Sequence, residues 1–419
     1  MAHRAAPGGE DCDTSSPDAL SVDEARQRLL DAITPLGNLE TVPLARALNR
    51  VLAGDLRAPF DVPAYDNAAM DGYALCSKTV PHQKANRLKV VGTALAGSPY
   101  RGTRAAGECV RIMTGAVLPP GCDTVIAQER VQREGDFIVI EDHRPGQHIR
   151  RAGEDLGAGQ TAILAGRRLT PADLGLAASL NIAQLVVARR PRVAFFSTGD
   201  ELIELGAPPA SGKVYDSNRH ALHALLLETG AEPRDLGIIA DRRETLFDAL
   251  KEAARDADAI ISTGGVSVGE ADFVRESVDQ AGEMRFWRVG IKPGRPFTFG
   301  RVGSAWFFGL PGNPVSAMVT YYQFVQPAVR KLMGRHPRNP PRFRVTAVTP
   351  LKKTPGRMEF QRGVLERDEQ GRTVVRAVHA QGSHILRSMS EADCFIVLPA
   401  ECGDVPAGTT VEVEPFREL

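Results

Sequence analysis

Acidic side chains recur where apolar runs end in the middle of the chain. Ser197, Thr198, Gly199, Asp200 and Glu201 follow "RVAFF", Asp241 follows "DLGIIA", and "STGGVSVGEAD" (262–272) closes on Asp272. Carboxylates that converge on a phosphate ligand usually hold Mg2+, which prefers hard oxygens and keeps some of its waters. Glu201 and Asp272 are the candidate ligands of that ion, with Asp200 and Asp241 as further acidic positions. The competing reading is that such residues cap the following helices, as Asp272 could for "DFVRES". Gly264, Gly265 and Gly269 let backbone approach a ligand closely, and Ser267 adds a hydroxyl. With "GLPGNPVS" (309–316) these turns could cradle a phosphate. Gly-rich turns also end strands that bind nothing, but three at one sheet edge favour a ligand. Gly269 is followed by Glu270-Ala271, not Lys-Ser/Thr, so this is no P-loop. No G-x-G-x-x-G follows a first strand, which disfavours a nicotinamide dehydrogenase.

Cations follow closely in sequence. "WRVGIKPGRPFTFG" carries Arg288, Lys292 and Arg295 in a loop stiffened by Pro293 and Pro296; "TPGRMEFQRG" adds Arg357 and Arg362, and "QGSH" adds Ser383. Rigidly held Lys and Arg suit a phosphate or a tetrahedral oxyanion. They could equally form a solvated basic face. His220 and His223, three apart on an expected helix, lack a third ligand and read as a surface or packing pair. Cys12, Cys76, Cys109, Cys122, Cys394 and Cys402 make no C-x-x-C pair and no zinc spacing, which fits a reducing cytosol.

These residues need positioning elements, and 419 residues are more than one core usually supports. Lys+Arg and Asp+Glu balance at 51 each, so overall charge gives no footprint for nucleic acid or an anionic membrane. No apolar run nears the ~20 residues of a membrane span. The first residues lack the apolar core of a signal peptide, and 1–19 read as a disordered tail. A helix is expected from Ser21, where Ser21 and Glu24 form a capping-box pattern, and a second short helix around 43–52. Residues 87–142 alternate short apolar runs with Gly and Pro turns, an all-β pattern. Helical texture returns at Thr170-Pro171. From 189 to 334 strands alternate with helices, implying a parallel sheet with right-handed crossovers. The last element there is a long helix that Asn313 can cap, with Pro314 at its first position and Tyr321 and Tyr322 in its core face. After the linker 334–341, "FRVTAV", "TVVRAV", "CFIVLP" and "TVEVEPF" are short alternating strands.

Nine segments stand in an order that resembles the MoeA family, which includes the C-terminal domain of gephyrin. They are "FDVPAYDNAAMDGYA", "VRIMTGAVLPPGCDTVIAQE", "IRRAGEDL", "FSTGDEL", "VYDSNRHAL", "ISTGGVSVGEADF", "FWRVGIKPGRPFTFG", "GLPGNPVSAM" and "PGRMEFQRG". The resemblance runs from about residue 20 to 417. It implies a multidomain α/β plus β fold. A discontinuous elongated N-terminal domain (20–57 and 147–187) is interrupted by an inserted β module (58–146). A central doubly wound, mostly parallel α/β domain (188–334), similar to MogA and molybdopterin-binding, is followed by a small C-terminal β-barrel domain (340–419). It further implies an elongated cytoplasmic homodimer, with the upstream adenylyltransferase and recipient molybdoenzymes as further partners. The implied reaction takes adenylylated molybdopterin and molybdate, cleaves the pyrophosphate bond with Mg2+, releases AMP and leaves molybdenum on the dithiolene. The implied site joins the α/β domain of one chain to the β module of the other.

By the same resemblance, Asp71 in "MDGYA" and Thr114 in "RIMTGA" act from the partner side, and Asp155 in "GEDL" is a further functional acid. Glu201, Asp241 and Asp272 are the acids of the α/β cleft. Gly264, Gly265, Ser267, Gly269, Pro311, Asn313, Pro314 and Ser316 lie on the loops for the pterin and its phosphate. Arg288, Lys292, Arg295, Pro296, Arg357 and Ser383 form the molybdate pocket, and Lys292 also faces the reacting phosphate. The sequence departs from the family pattern at Arg288 and Arg295, where lysine is usual, and at Arg242, where a second acid often stands. A guanidinium is a planar fork, not a point charge, so oxyanion selectivity could differ. Two other readings remain: an adenylyltransferase, for which a molybdate pocket would be idle, and a dimeric scaffold, for which retaining Asp71, Glu201, Asp272 and Lys292 together would be unexplained.

Overall fold

The structure is a computed structural model that describes residues 19–81, 85–265, 273–335 and 340–416. Backbone contacts divide the chain into two compact units, one of residues 1–40 and 188–419 and one of 41–187.

The larger unit is built on a six-stranded sheet in the order Glu232–Ile239, Arg192–Thr198, Ala259–Thr263, Ala305–Leu310, Pro296–Val302, Gly282–Arg288. The first four strands are parallel, and the last two run antiparallel to their neighbours. "VAFFST" is buried along its whole length, as a parallel strand covered on both faces should be. One face packs Phe196, Ile260 and Phe307 against Leu246 and Leu250 of the helix Arg243–Asp256 and Val274 and Val278 of the helix Phe273–Ala281. The helix Ser217–Thr229 is capped by the Asp216 side chain and closed by left-handed Gly230. A cavity of about 290 Å³ lies against the edge strand Glu232–Ile239, but no candidate site residue lines it.

The expected long helix after 313 is interrupted. It runs Pro314–Thr320, passes through a π turn at Tyr321–Val325 and resumes at Gln326–Leu332. Pro327 has no N–H for the Gln323 carbonyl four residues back, and its ring crowds that oxygen. The buried Arg26 Nε donates to Gln323 O at 3.0 Å instead. Arg26 belongs to the helix Val22–Ala32, whose Ser21 Oγ accepts from Glu24 N as the capping pattern predicts. Tyr321 is fully buried and bonds Leu225 O and Thr229, a core role as expected.

A closed barrel forms the C-terminal part of this unit. Met358–Arg367 pairs with Thr373–Ala377 and with Cys394–Leu398, and Phe343–Ala347 and Thr410–Pro415 complete the ring. Four of its strands match the apolar alternation of the sequence. The fifth, Met358–Arg367, was expected as a cation-bearing loop, because charged and polar residues interrupt its pattern.

The smaller unit holds a six-stranded sheet in the order Thr124–Ala127, Gly72–Leu75, Glu108–Ile112, Asn86–Ala94, Phe137–Ile140, Gln132–Glu134. Ala74, Val110 and Val125 pack one side, and Leu75, Leu88 and Ile138 the other. The helix Pro171–Ser179 carries a full capping box between Thr170 and Asp173. The short helix expected around 43–52 does not form. Leu39–Pro43 is a strand and Leu44–Arg46 a single 3-10 turn. The amides there bond distant chain, with Asn49 N to Leu169 O and Leu52 N to Arg167 O, both 3.0 Å. Tertiary pairing overrides a weak local preference there. Among the described residues no helix is long and apolar enough to cross a membrane.

Candidate functional site

Three strand-end turns of the larger unit meet at one edge. Ser197 Oγ donates to Asp216 Oδ1 at 3.0 Å, so the Thr263 hydroxyl must be the donor to Ser197 Oγ at 2.9 Å. Gly264 N donates to Leu310 O at 3.2 Å. Gly264 has φ +83°, and a β-carbon there would stand 2.3 Å from Thr198 O, so only glycine lets these turns close together. Asn218 Nδ2 donates to Gly312 O at 2.7 Å, tying the helix 217–229 to the turn 311–313. Below them Asp216 is held by Arg219, which also pairs with Asp235 and Glu204. Asp216 and Arg219 fall within the "VYDSNRHAL" motif, yet nothing in the pattern marked them as the support of this edge.

Asp200, Glu201 and Asp241 lie at the same edge. Burial pushes the Asp241 carboxyl above its usual range. Asp200 and, more weakly, Glu201 push the same way by repulsion, against the opposing influence of the Thr198 hydroxyl. Neither Asp241 Oδ1 nor Thr198 Oγ1 has a hydrogen-bond partner of normal geometry, although both atoms are buried. Among the described residues no three His, Cys, Asp or Glu side chains group closely enough to enclose a metal ion. Ser267, Gly269 and Asp272 lie outside the described residues; Gly264 and Gly265 lie within them. His220 and His223 are both exposed, with His223 against the Phe195 ring at 6.0 Å.

The cation-bearing loop packs on the helix 314–320. The Lys292–Pro293 peptide is cis. A β-carbon at the following Gly294, φ +113°, would stand 2.7 Å from Thr320 Oγ1. Ser383 reaches the start of that helix, accepting from Asn313 Nδ2 at 3.2 Å and, through its carbonyl, from Val315 N at 3.1 Å. Asn313 is therefore the helix cap residue by position, but its side chain is spent on Ser383 and makes no cap bond. Pro311 and Ser316 are buried, Pro314 is half-buried and Asn313 is exposed. Lys292 Nζ lies 3.7 Å from Glu359 Oε2. Arg295, Pro296 and Arg357 are half-buried, and Arg288 is exposed. Arg362 stands apart from these: only 1% exposed, it lies opposite Phe395 on the strand face turned away from the barrel core and donates to Ser388 Oγ, Phe360 O and Gly382 O. Glu359 is a charged residue of this cluster that sequence reasoning passed over, because "RMEFQR" reads as an ordinary mixed-charge strand.

In the smaller unit Asp71 Oδ1 accepts from Thr114 N at 2.8 Å and Thr114 Oγ1 at 2.7 Å. The Thr114 hydroxyl and then its amide hold the Asp71 carboxyl below its usual range. Asp155 is exposed on a turn bound to the segment 61–66. Its amide donates to Val62 O at 3.0 Å, Ala158 N donates to Asp61 Oδ1 at 2.7 Å, and Ala152 N donates to Asp66 Oδ1 at 2.9 Å. This pairing joins "FDVPAYDN" to "RRAGEDL": Asp66 of the first anchors Arg151 and Ala152 of the second, and Asp61 holds Ala158 just beyond it.

The chain is similar to known proteins along most of its length. The chain matches the MoeA N-terminal region (domain I and II) over residues 20–181, a "Probable molybdopterin binding domain" over 194–331 and the MoeA C-terminal region (domain IV) over 344–416. It is 44% identical over 403 residues to a molybdopterin molybdenumtransferase of Haemophilus influenzae, covering 96% of this chain and 99% of that one. A molybdopterin molybdenumtransferase of Bacillus subtilis is 33% identical, covering 95% and 94%. Gephyrin of Dictyostelium discoideum is 31% identical over 97% of this chain but 63% of its own. The crystal structure of a molybdopterin biosynthesis moeA protein from Pyrococcus horikoshii superposes with a TM-score of 0.84 at 29% identity, covering 95% and 100%. The chain belongs to the MoeA family.

Proposed function

We propose that this chain is a molybdenum insertase of molybdenum-cofactor biosynthesis, a transferase that takes adenylylated molybdopterin and molybdate, hydrolyses the pyrophosphate bond and releases AMP. One observation carries the reading. Ser383 bonds the start of the helix 314–320, the cation loop packs on the same helix through Gly294, and the turn that leads into that helix lies at the edge that carries the carboxylates. A ligand seated there would meet phosphate-binding turns, oxyanion-binding cations and hard oxygen donors together.

Magnesium would be held at this edge by a partial shell of protein ligands. Asp200, Glu201 and Asp241 offer carboxylate oxygens, and the buried Asp241 Oδ1 makes no hydrogen bond of normal geometry. A partial carboxylate shell suits Mg2+, which completes its coordination with water and substrate phosphate. When bound, the ion neutralises the pyrophosphate oxygens. Glu201 and Asp241, with Asp272, would hold it. The turns at Gly264, Gly265, Pro311, Asn313, Pro314 and Ser316, with Ser267 and Gly269, would seat the pterin and its phosphate. Lys292, Arg295, Pro296, Arg357, Ser383 and Arg288 would seat molybdate, a tetrahedral dianion that needs fixed cationic donors. Phosphoryl cleavage builds negative charge on the phosphate oxygens, and Lys292 would offset it. Asp71, Thr114 and Asp155 would act from the partner protomer of a cytoplasmic homodimer.

The test is AMP release from adenylylated molybdopterin by the purified protein, with and without molybdate and Mg2+. Release that depends on both supports the reading. No release from folded dimer removes it.

A further inference from the structure

In the barrel wall beside the cation loop, Glu359 lies against Lys292. Strand Ile291–Lys292 pairs in parallel with Met358–Glu359, with Lys292 directly opposite Glu359. Their side chains lie side by side, Lys292 Nζ 3.7 Å from Glu359 Oε2. The two ends of the pair differ in exposure. The Glu359 side chain is 8% exposed and that of Lys292 36%. Glu359 Oε1 accepts from Gln361 Nε2 at 3.0 Å, and Gln361 is itself fixed on Lys352 O at 2.8 Å. Glu359 Oε2 has no hydrogen bond.

Two further cations depend on the same carboxylate. The buried Lys353 ammonium donates to Thr354 O, Ala400 O and Cys402 O. Burial lowers its pKa and Glu359 opposes that shift most, whereas Lys292 adds to it. Burial pulls the Arg362 guanidinium down to about 10, and Glu359 is the charge that opposes this. Arg362 in turn donates to Gly382 O, and its amide donates to Gln381 Oε1 at 2.9 Å, so it holds the turn that presents Ser383.

We propose that Glu359 is the positioning residue of the oxyanion pocket, tethering the half-exposed Lys292 ammonium from behind through its unbonded oxygen while its other oxygen stays fixed on Gln361. The tether is an ion pair without a tight hydrogen bond, so the Lys292 N–H groups stay available to a ligand on the exposed side. It also limits the rotamers of a long side chain, which lowers the ordering cost of binding. This inference rests on the proposed seat of molybdate at Lys292.

The experiment compares Glu359→Gln, Lys292→Gln and the double variant in the full-length protein. Molybdate binding is measured by calorimetry, and AMP release gives KM and kcat. Loss of a partner behind a ligand-holding group typically weakens binding 10–100-fold. Glu359→Gln should therefore raise the Kd and KM for molybdate about tenfold, and lower kcat by no more than Lys292→Gln does. The double variant should bind no more weakly than Lys292→Gln alone. Unchanged or tighter molybdate binding by Glu359→Gln, with Lys292→Gln impaired, overturns the tether alone. Unchanged binding by Lys292→Gln overturns the molybdate seat and the tether with it. If Glu359→Gln does not fold, Lys353→Met/Glu359→Gln removes one buried charge of each sign and is compared with Lys353→Met; equal affinities overturn the tether.

Discussion

Asp71 and Asp241 are both acids that the family resemblance marks as functional, and the protein treats them in opposite ways. Asp71 is completed by its own chain. Thr114 gives it an amide and a hydroxyl, and its charged form is favoured. Asp241 is held more loosely: its buried Oδ1 makes no hydrogen bond of normal geometry, the Thr198 hydroxyl favours its charge, and two acidic neighbours disfavour it. Buried polar groups are normally satisfied, so an orphaned acid marks a place where something other than the chain supplies the partner. The first arrangement fixes an acceptor in advance of any ligand. On the proposed function, the second is where a cation would bind.

Four experiments break or sharpen that contrast. The largest effect is expected from Glu201→Ala and Asp241→Ala, which should raise the Mg2+ concentration for half-maximal AMP release by on the order of 10–100-fold. Asp71→Asn should lower kcat and leave that concentration alone. If both acids shift the Mg2+ requirement equally, the contrast is lost. The second effect is conformational. Gly264 and Gly115 both have positive φ, 83° and 77°, but a β-carbon at Gly264 meets Thr198 O at 2.3 Å and one at Gly115 meets nothing within 4 Å. Left-handed backbone costs about 1–2 kcal/mol for a residue with a side chain. Gly115→Ala should lose about that much in thermal unfolding, and Gly264→Ala clearly more.

The third concerns pH. A protonated carboxyl cannot hold Mg2+, and the Asp241 pKa lies above its ordinary 3.8 whereas that of Asp71 lies below. As pH falls, Mg2+ affinity should therefore fail through Asp241 first. Asp241→Asn should abolish this acid limb, and an unchanged limb would assign it elsewhere. The smallest effect is on stability. A carboxyl whose folded pKa is raised contributes stability below pH 3.8 that is lost as pH rises through the folded value. Without Mg2+ at neutral pH, Asp241→Asn should thus raise the Tm, by about 1–2 °C at most given solvent screening. A fall in Tm would show that the charged acid has a partner.

Most of the fold could be read in the residues. Unbroken apolar runs such as "VAFF" and "AII" announce strands covered on both faces, and Ser21 and Thr170-Pro171 start helices where local chemistry demands it. The errors arose where distant chain decided. Residues 44–52 gave their amides to 167, 169 and 183 and formed a single 3-10 turn. Met358–Arg367 became a strand because the barrel closes on both of its edges. Among site residues, the motifs identified Asn313 and Ser383 separately, but not that one bonds the other. Glu359 and Asp216 were missed because a lone acid in a mixed-charge segment carries no local signal.

The sequence by itself determined the order of elements, the glycines that let turns approach and the types of donor available. Backbone sterics and apolar periodicity are local properties, and they persist in any fold that the chain adopts. Only the tertiary structure decided which charges are completed and which are left open. That depends on burial and on neighbours far apart in the chain: Glu359 beside Lys292 across a parallel pair, and Asp241 beside Asp200 at a shared sheet edge. The cost of an unpaired charge is set by the dielectric and the partners that folding brings to it, and neither exists before the chain is folded.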